Sequence, residues 1–321
     1  MLFRDMLRAF VLSEREASTM TIRFDGRVAI VTGSGGGLGR CHALGLAARG
    51  AKVVVNDIGK GAAASDSALK VVDEIGAAGG VAMADGSDVA DFEQITAMVA
   101  RAEKEWGRVD ILVNNAGILR DKTFAKMEMS DFDRVISVHL RGSANCTKAV
   151  WNGMRDRNYG RIVFTSSASG IYGNFGQANY GAAKAAMVGL MNVLHLEGSK
   201  YNIRINTLAP TAATAMTAGL LPPNAMELLS PESVTPAVLF LVSENAPSRV
   251  IVGAGAGVFA VTRIEETPGI YIDEAERSPE TIAARWSEIF NHDTSLPLED
   301  AFAQTRKFAA LASSAKGLEP S

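Results

Sequence analysis

Cysteine is scarce in this chain of 321 residues, and its net charge is small. Cys41 and Cys146 form no CxxC pair, which speaks against a disulfide framework or a thiolate zinc site and for a reducing, cytoplasmic setting. Both lie in stretches of helical character and are expected to be packing residues. A formal net charge of −3 offers no attraction to nucleic acid or to an anionic membrane surface. No apolar run is long enough to span a bilayer, so no membrane insertion is expected. The first residues carry Arg4, Asp5, Arg8, Glu14, Arg15 and Glu16 where a secretory signal would be apolar. Residues 1–20 are therefore read as an N-terminal extension. His42 reads as a packing or surface residue, and His195 and His292 lack an acidic or cysteine partner at ligand spacing, so no metal is expected. The chain has no internal repeat and no low-complexity tract.

What the chain does have is alternation of strand and helix. Apolar, β-branched runs near 27–33, 52–57, 81–84, 109–114, 161–166, 203–208 and 250–255 are separated by helical segments, which predicts an α/β fold with a doubly wound, parallel, seven-stranded sheet over residues 21–262. Ser130-Asp131 reads as a helix start, opening one long helix to about Asp156, and a second helix is expected over 179–200. Glu265 to Gly269 reads as a linker into a C-terminal helical extension, 263–321. There Ser278-Pro279-Glu280 predicts a helix N-terminus, followed by an apolar stripe of Ile282, Trp286, Ile289 and Phe290. That stripe is expected to pack on the main domain or a second subunit, with a lid or wall of a substrate pocket as the alternative.

Two local patterns carry chemistry. The first strand runs into Thr32-Gly33-Ser34-Gly35-Gly36-Gly37-Leu38-Gly39 and then a helical segment. Glycines let a backbone approach phosphates, and a helix N-terminus offers free N–H groups and a positive dipole end. The next strand ends in Asp57, eighteen residues beyond Gly39, where a carboxylate can accept from ribose hydroxyls and repel a 2′-phosphate. NAD is therefore the expected cofactor. Tyr180 and Lys184 lie four apart in the segment expected to be helical, hence on one face. A phenol beside an ammonium can transfer a proton, although the same spacing also serves simple packing of an aromatic on a lysine stem.

The glycine run, Asn114-Asn115-Ala116-Gly117 after a strand, and Ser167 thirteen residues before Tyr180 together resemble the short-chain dehydrogenase/reductase family, over roughly Phe24 to Thr262. The resemblance implies a Rossmann-like fold in which Gly33, Ser34, Gly37, Leu38 and Gly39 meet the pyrophosphate. It also implies that Asp88 and Val89 border the adenine, while Asn115, Ala116, Gly117, Tyr180 and Lys184 contact the rest of NAD. Ser167 would hold the substrate oxygen, Tyr180 would move its proton, and Lys184 would favour the tyrosinate. Self-association through the helices at 130–156 and 179–200 is implied as well, as a homodimer or homotetramer. Within the family, Asn115 to Asp121, Val138 to Ser143 and Tyr159 to Tyr180 are similar to members that oxidise (3R)-3-hydroxyacyl-CoA thioesters. The expected activity is that interconversion with the 3-oxoacyl-CoA, including steroid-linked or other bulky acyl chains. A 17β-hydroxysteroid or other secondary-alcohol dehydrogenase is the alternative, and a non-enzymatic NAD sensor is disfavoured by the intact Ser167, Tyr180 and Lys184 set.

Two positions depart from the family pattern. His139 stands where an asparagine usually supports a water next to the lysine; it either holds that water or is a buried, satisfied ring. Ala209-Pro210-Thr211 stands where Pro-Gly is usual, which weakens the expected contacts to the carboxamide of the cofactor.

Overall fold

A computed structural model describes residues 21–60, 63–213 and 227–318; the N-terminal extension expected at 1–20 lies outside them. Strand β1 (Val28–Thr32) is buried along its whole length, with Val28 and Ile30 facing one core and Ala29 and Val31 the other. Apolar side chains on both faces make a strand that needs helices above and below it. Seven strands run parallel: β1, β2 (Lys52–Asn56), β3 (Val81–Asp85), β4 (Ile111–Asn114), β5 (Gly160–Thr165), β6 (Ile203–Pro210) and β7 (Ile251–Gly255). Their order, β3-β2-β1-β4-β5-β6-β7, changes direction between β1 and β4, and a crevice opens above the carboxyl ends of those two strands.

One core holds α1 (Gly37–Ala48), α2 (Asp66–Ala77) and α8 (Thr235–Leu241) against the sheet. The opposite core holds α3 (Phe92–Trp106), α5 (Gly142–Asp156) and α7 (Ala178–Gly198). Local signals explain their ends: Ser65 caps α2 by accepting from Ala68 N, Asp91 caps α3, and Gly107 closes α3 at φ 80°. Arg161 of β5 is fully buried and satisfied by carbonyls, donating to Ser243, Gly160, Asn202 and Glu244 at 2.8–2.9 Å.

Three expectations are corrected. The sheet has eight strands, because Ala256 and Gly257, at φ 51° and 75°, turn the chain back into β8 (Val258–Thr262) beside β7. Nothing in Gly-Ala-Gly-Ala-Gly marks an alanine for a left-handed conformation. The helix expected from Ser130 to Asp156 begins one residue earlier, as α4 (Met129–Ile136), without a side-chain cap, and passes through a π turn at Ser137–Arg141 before α5. The widened turn contains His139 and is of the kind that concentrates at functional sites. The apolar stripe of the tail is divided between two short helices, α9 (Pro279–Ala284) and α10 (Trp286–Phe290), not one.

Thr262–Ser321 forms a compact unit of its own. Within it Ser278 caps α9 by accepting from Thr281 N at 3.1 Å, Trp286 and Phe290 stack with centroids 6.3 Å apart, and α11 (Ala301–Ala315) follows. Lys307 of α11 donates to Thr267 O at 2.7 Å and pairs with Glu266.

Candidate active site

The glycine loop is shaped by close backbone contacts. Gly33 lies at φ +62°, and a Cβ there would come 2.7 Å from Ala116 Cα. A Cβ on Gly39 would overlap Gly33 O, and one on Gly35 would overlap the Asp57 carboxylate. Asp57 therefore reaches over the loop from the end of β2, which is where a ribose acceptor has to be. Gly37, Leu38 and Gly39 open α1, so their N–H groups have no partner within the helix and can meet an anion. The cradle fits a dinucleotide pyrophosphate.

Two residues expected at the cofactor hold the cradle through their side chains. Ser34 is fully buried; its Oγ donates to Val31 O at 2.7 Å and its N–H to Asn56 O. Asn115 donates from Nδ2 to Thr32 O and Gly33 O, each at 3.0 Å. Thr32 completes the clasp by accepting from the N–H groups of Asn115 and Ala116 at 3.0 and 3.1 Å. Short polar side chains inside a tight turn satisfy backbone before they can serve a ligand. Asp88 accepts from Ala90 N at 2.9 Å and faces Arg134 at 3.4 Å; Val89 is buried, its carbonyl accepting from Asn145. Both stand beyond the end of β3. Thr211 N donates to Ala254 O, and residues 214–226, which follow, lie outside the described residues.

The proton-transfer residues converge above β5 and on α7. Ser167 caps the short helix α6 (Ala168–Tyr172), accepting from Ser169 N at 3.2 Å, and acts on the Tyr180 phenol in the direction that favours its charged form. Gly170 lets α6 lie directly on α7: a Cβ there would sit 2.6 Å from Lys184 Cβ. Lys184 is 4 % exposed; its Nζ donates to Thr165 O at 2.6 Å and stands 5.5 Å from the Tyr180 ring centre.

Electrostatics differ from the expected picture. Burial raises the Tyr180 phenol above its ordinary value; Ser167 opposes this and the Asp121 carboxylate adds to it. Burial also lowers the Lys184 ammonium to about 7. Burial thus works against the charged form of both groups, and the Lys184 ammonium is directed at the Thr165 carbonyl.

His139 is 2 % exposed and packs edge-on to Tyr180, with ring centres 5.2 Å apart. Its Nε2 lies 2.9 Å from Ile118 O and 3.0 Å from Ile118 N, while Nδ1 has no partner. Burial, then Lys184, lowers its pKa to about 3. The ring is neutral, and Nε2 meets the Ile118 backbone on both sides: it accepts from Ile118 N–H in one tautomer and donates to Ile118 O in the other. The Nε2 contacts agree with a ring pinned to the backbone, while the unpartnered Nδ1 leaves a ring nitrogen for the water-holding reading. The ring requires Gly117, where any Cβ would overlap the imidazole.

Sequence reasoning missed Thr32, Thr165, Gln177 and Asn179. The signal available was local: Gln177 and Asn179 are amides packed around the start of an apolar helix, and both are buried.

A short chain dehydrogenase family model matches residues 27–224. The chain is 46% identical to peroxisomal multifunctional enzyme A of Dictyostelium discoideum, over 85% of its own length and 62% of that protein's; it thus spans less than two thirds of this relative. The full-length peroxisomal multifunctional enzyme type 2 of Drosophila melanogaster superposes with a TM-score of 0.77 at 37% identity, covering 93% of this chain and 51% of that one. A 7α-hydroxysteroid dehydrogenase in complex with NADH and 7-oxoglycochenodeoxycholic acid gives a TM-score of 0.67 at 32% identity, over 73% and 95% of the two chains. With the glycine cradle, Ser167, Tyr180 and Lys184 in one crevice, the chain belongs to the short-chain dehydrogenase family.

Proposed function

We propose that the protein is an NAD-dependent dehydrogenase that interconverts a (3R)-3-hydroxyacyl-CoA and its 3-oxoacyl-CoA. The observation that carries the reading is Tyr180 one turn from a buried Lys184, with the Ser167-capped helix packed directly on theirs, beside a cradle suited to a pyrophosphate. Relatives named for multifunctional peroxisomal enzymes support the thioester class, and Asp57 over the glycine loop supports NAD over NADP. The first-turn N–H groups of Gly37 to Gly39 would hold the pyrophosphate, Asp57 the adenosine ribose, and Tyr180 and Lys184 the nicotinamide ribose. Bound NAD supplies the hydride acceptor.

Each residue then has one task. Ser167 Oγ donates to the substrate oxygen and keeps it beside Tyr180. In the reductive direction the Tyr180 phenol gives its proton to that oxygen; in the oxidative direction it must first lose that proton. Lys184, one turn away, is the group through which the lost proton would leave, and its pKa near 7 lets it accept and release one at neutral pH. His139 holds the backbone of Ile118, which lies beside Asn115 to Gly117, in place.

A homodimer through α7, where Val193 and Leu196 are exposed, and a reducing cytoplasmic setting are parts of the same proposal. A panel of 3-hydroxyacyl-CoA thioesters, free hydroxy acids and steroid alcohols, read by NADH absorbance, tests it. Thioesters are expected to have the higher kcat/KM, because contacts remote from the reacting carbon add to positioning. A free steroid alcohol that outperforms every thioester would replace this reading with the secondary-alcohol one.

A further inference from the structure

Gln177 stands three residues before Tyr180 at the start of α7 and is 8 % exposed. Its carboxamide is fastened on both ends. Nε2 donates to Asp121 Oδ2 at 2.7 Å, while Oε1 accepts from Ser169 Oγ at 2.8 Å and Asn174 Nδ2 at 3.0 Å. The three partners belong to different segments. Asp121 lies in the loop after β4, Ser169 sits in the first turn of α6 two residues from Ser167, and Asn174 is in the link from α6 to α7.

Backbone bonds run alongside. Lys122 N donates to Gly176 O at 2.9 Å, Asn179 Nδ2 to Arg120 O at 3.0 Å, and Gly181 N to Gln177 O at 2.7 Å. The residue type matters here. An amide can donate to a carboxylate with one end and accept two bonds with the other, whereas a glutamate would set two carboxylates against each other.

We infer that Gln177 and Asp121 are positioning residues for the proposed reaction: the carboxamide locks the Ser167-bearing helix, the Tyr180-bearing helix and the loop after β4 into one geometry, and holds the Asp121 carboxylate beside them. The inference rests on the reading of Ser167 and Tyr180 as the proton-transfer pair. Misplacement of such a pair by about 1 Å can lower the rate by about 100-fold, so a clamp that fixes both helices acts on kcat without touching the dinucleotide cleft.

Asp121 has a second effect through its charge, which disfavours the tyrosinate. The groups facing Tyr180 are Lys184 from its own helix, His139 from the π turn, Ser167 from the end of β5, and Asp121 from the loop. His139 is neutral over the working range. Arg120 and Lys122 flank Asp121 in sequence, yet both are drawn to Asp131, at 3.7 and 3.6 Å. The Asp121 charge therefore acts on Tyr180 without an ion-pair partner among the described residues.

Three variants of the full chain separate clamp from charge, each assayed with NAD and the alcohol that the wild type oxidises best. Gln177→Ala is expected to lower kcat about 10- to 100-fold with KM for NAD within about twofold, and Gln177→Glu to lose at least as much. Asp121→Asn keeps an acceptor for Gln177 Nε2 and removes the charge. The rising limb of its kcat/KM profile in the oxidative direction is expected to move to lower pH, because a tyrosinate no longer forms beside a carboxylate. Wild-type kcat in Gln177→Ala overturns the clamp, and an unmoved limb in Asp121→Asn overturns the charge effect. The pH limb is a readout that mere loss of structure does not shift. A wild type that oxidises steroid alcohols and no thioester would sink the substrate reading while leaving this test intact.

Discussion

Gly39→Ala puts two opposing effects on one atom. Alanine is the better helix former by about 1 kcal/mol, and Gly39 lies in the first turn of α1. The new Cβ, however, would overlap Gly33 O and come 2.6 Å from Asn115 Nδ2 and 2.8 Å from Ser34 Cα. Two of these neighbours are backbone and cannot swing away, and the third is fixed by two hydrogen bonds. Overpacking of this kind costs about 1–3 kcal/mol, so the steric effect wins by up to about 2 kcal/mol. For a unit of this size that is a fall in Tm of up to roughly 8 °C. Relief requires α1 to move off β1, which displaces the N–H groups that meet the pyrophosphate, and a loss of about 1.4 kcal/mol there weakens NAD binding about tenfold. Gly76→Ala is the control: it is also helical, nothing lies within 4 Å of its Cβ, and it should leave Tm unchanged or raise it. Thermal melts with and without NAD, together with titration calorimetry, give both quantities. An unchanged Tm and an unchanged NAD affinity in Gly39→Ala would refute the reasoning.

Tyr180→Phe should lower turnover by at least about 100-fold while NAD still binds, because the cradle is untouched; near wild-type turnover would remove the phenol from the mechanism. Asp57→Ala should raise NADP use relative to NAD, and an unchanged ratio of kcat/KM values would mean that another group reads the ribose. Lys184→Met should be inactive, and its stability should compare differently with wild type across pH. The lysine titrates near 7 in the folded chain and near 10.5 unfolded, so wild type gains stability as pH rises from 7 to 10.5 and carries its full penalty below 7. The difference in Tm, variant minus wild type, should therefore be larger at pH 6 than at pH 9, and equal differences would contradict the buried-ammonium picture.

Much of the fold is legible because buried parallel strands are runs of Val, Ile, Leu and Ala bounded by glycine turns, as in Val28 to Thr32 and Lys52 to Asn56. The eighth strand escapes because its hairpin depends on Ala256 at positive φ, a conformation that alanine does not advertise. The π turn escapes for a related reason: one extra residue per turn leaves apolar periodicity nearly intact over so short a span. Within the site, Tyr180 and Lys184 are readable from spacing, since helix geometry converts four residues into one turn, and Ser167 is readable through the family resemblance. What spacing cannot tell is which way a small polar side chain points. The side chains of Ser34 and Asn115 turn to the backbone of the glycine turn, which spacing alone does not reveal. The direction of the Tyr180 shift is likewise hidden, because burial is a tertiary property and here it is the largest influence on the phenol.

The most direct measurement is the rate of NADH formation from a matched pair of 3-hydroxyacyl-CoA epimers. In the proposed mechanism Ser167 and Tyr180 hold the substrate hydroxyl, so only one configuration would present its hydrogen to the face where hydride must leave. The account predicts that a (3R) thioester of medium or long chain is oxidised with a kcat/KM at least about 100-fold above its (3S) epimer, a difference of roughly 2.7 kcal/mol in the barrier. Equal rates for the two epimers, or a preference for (3S), would contradict it.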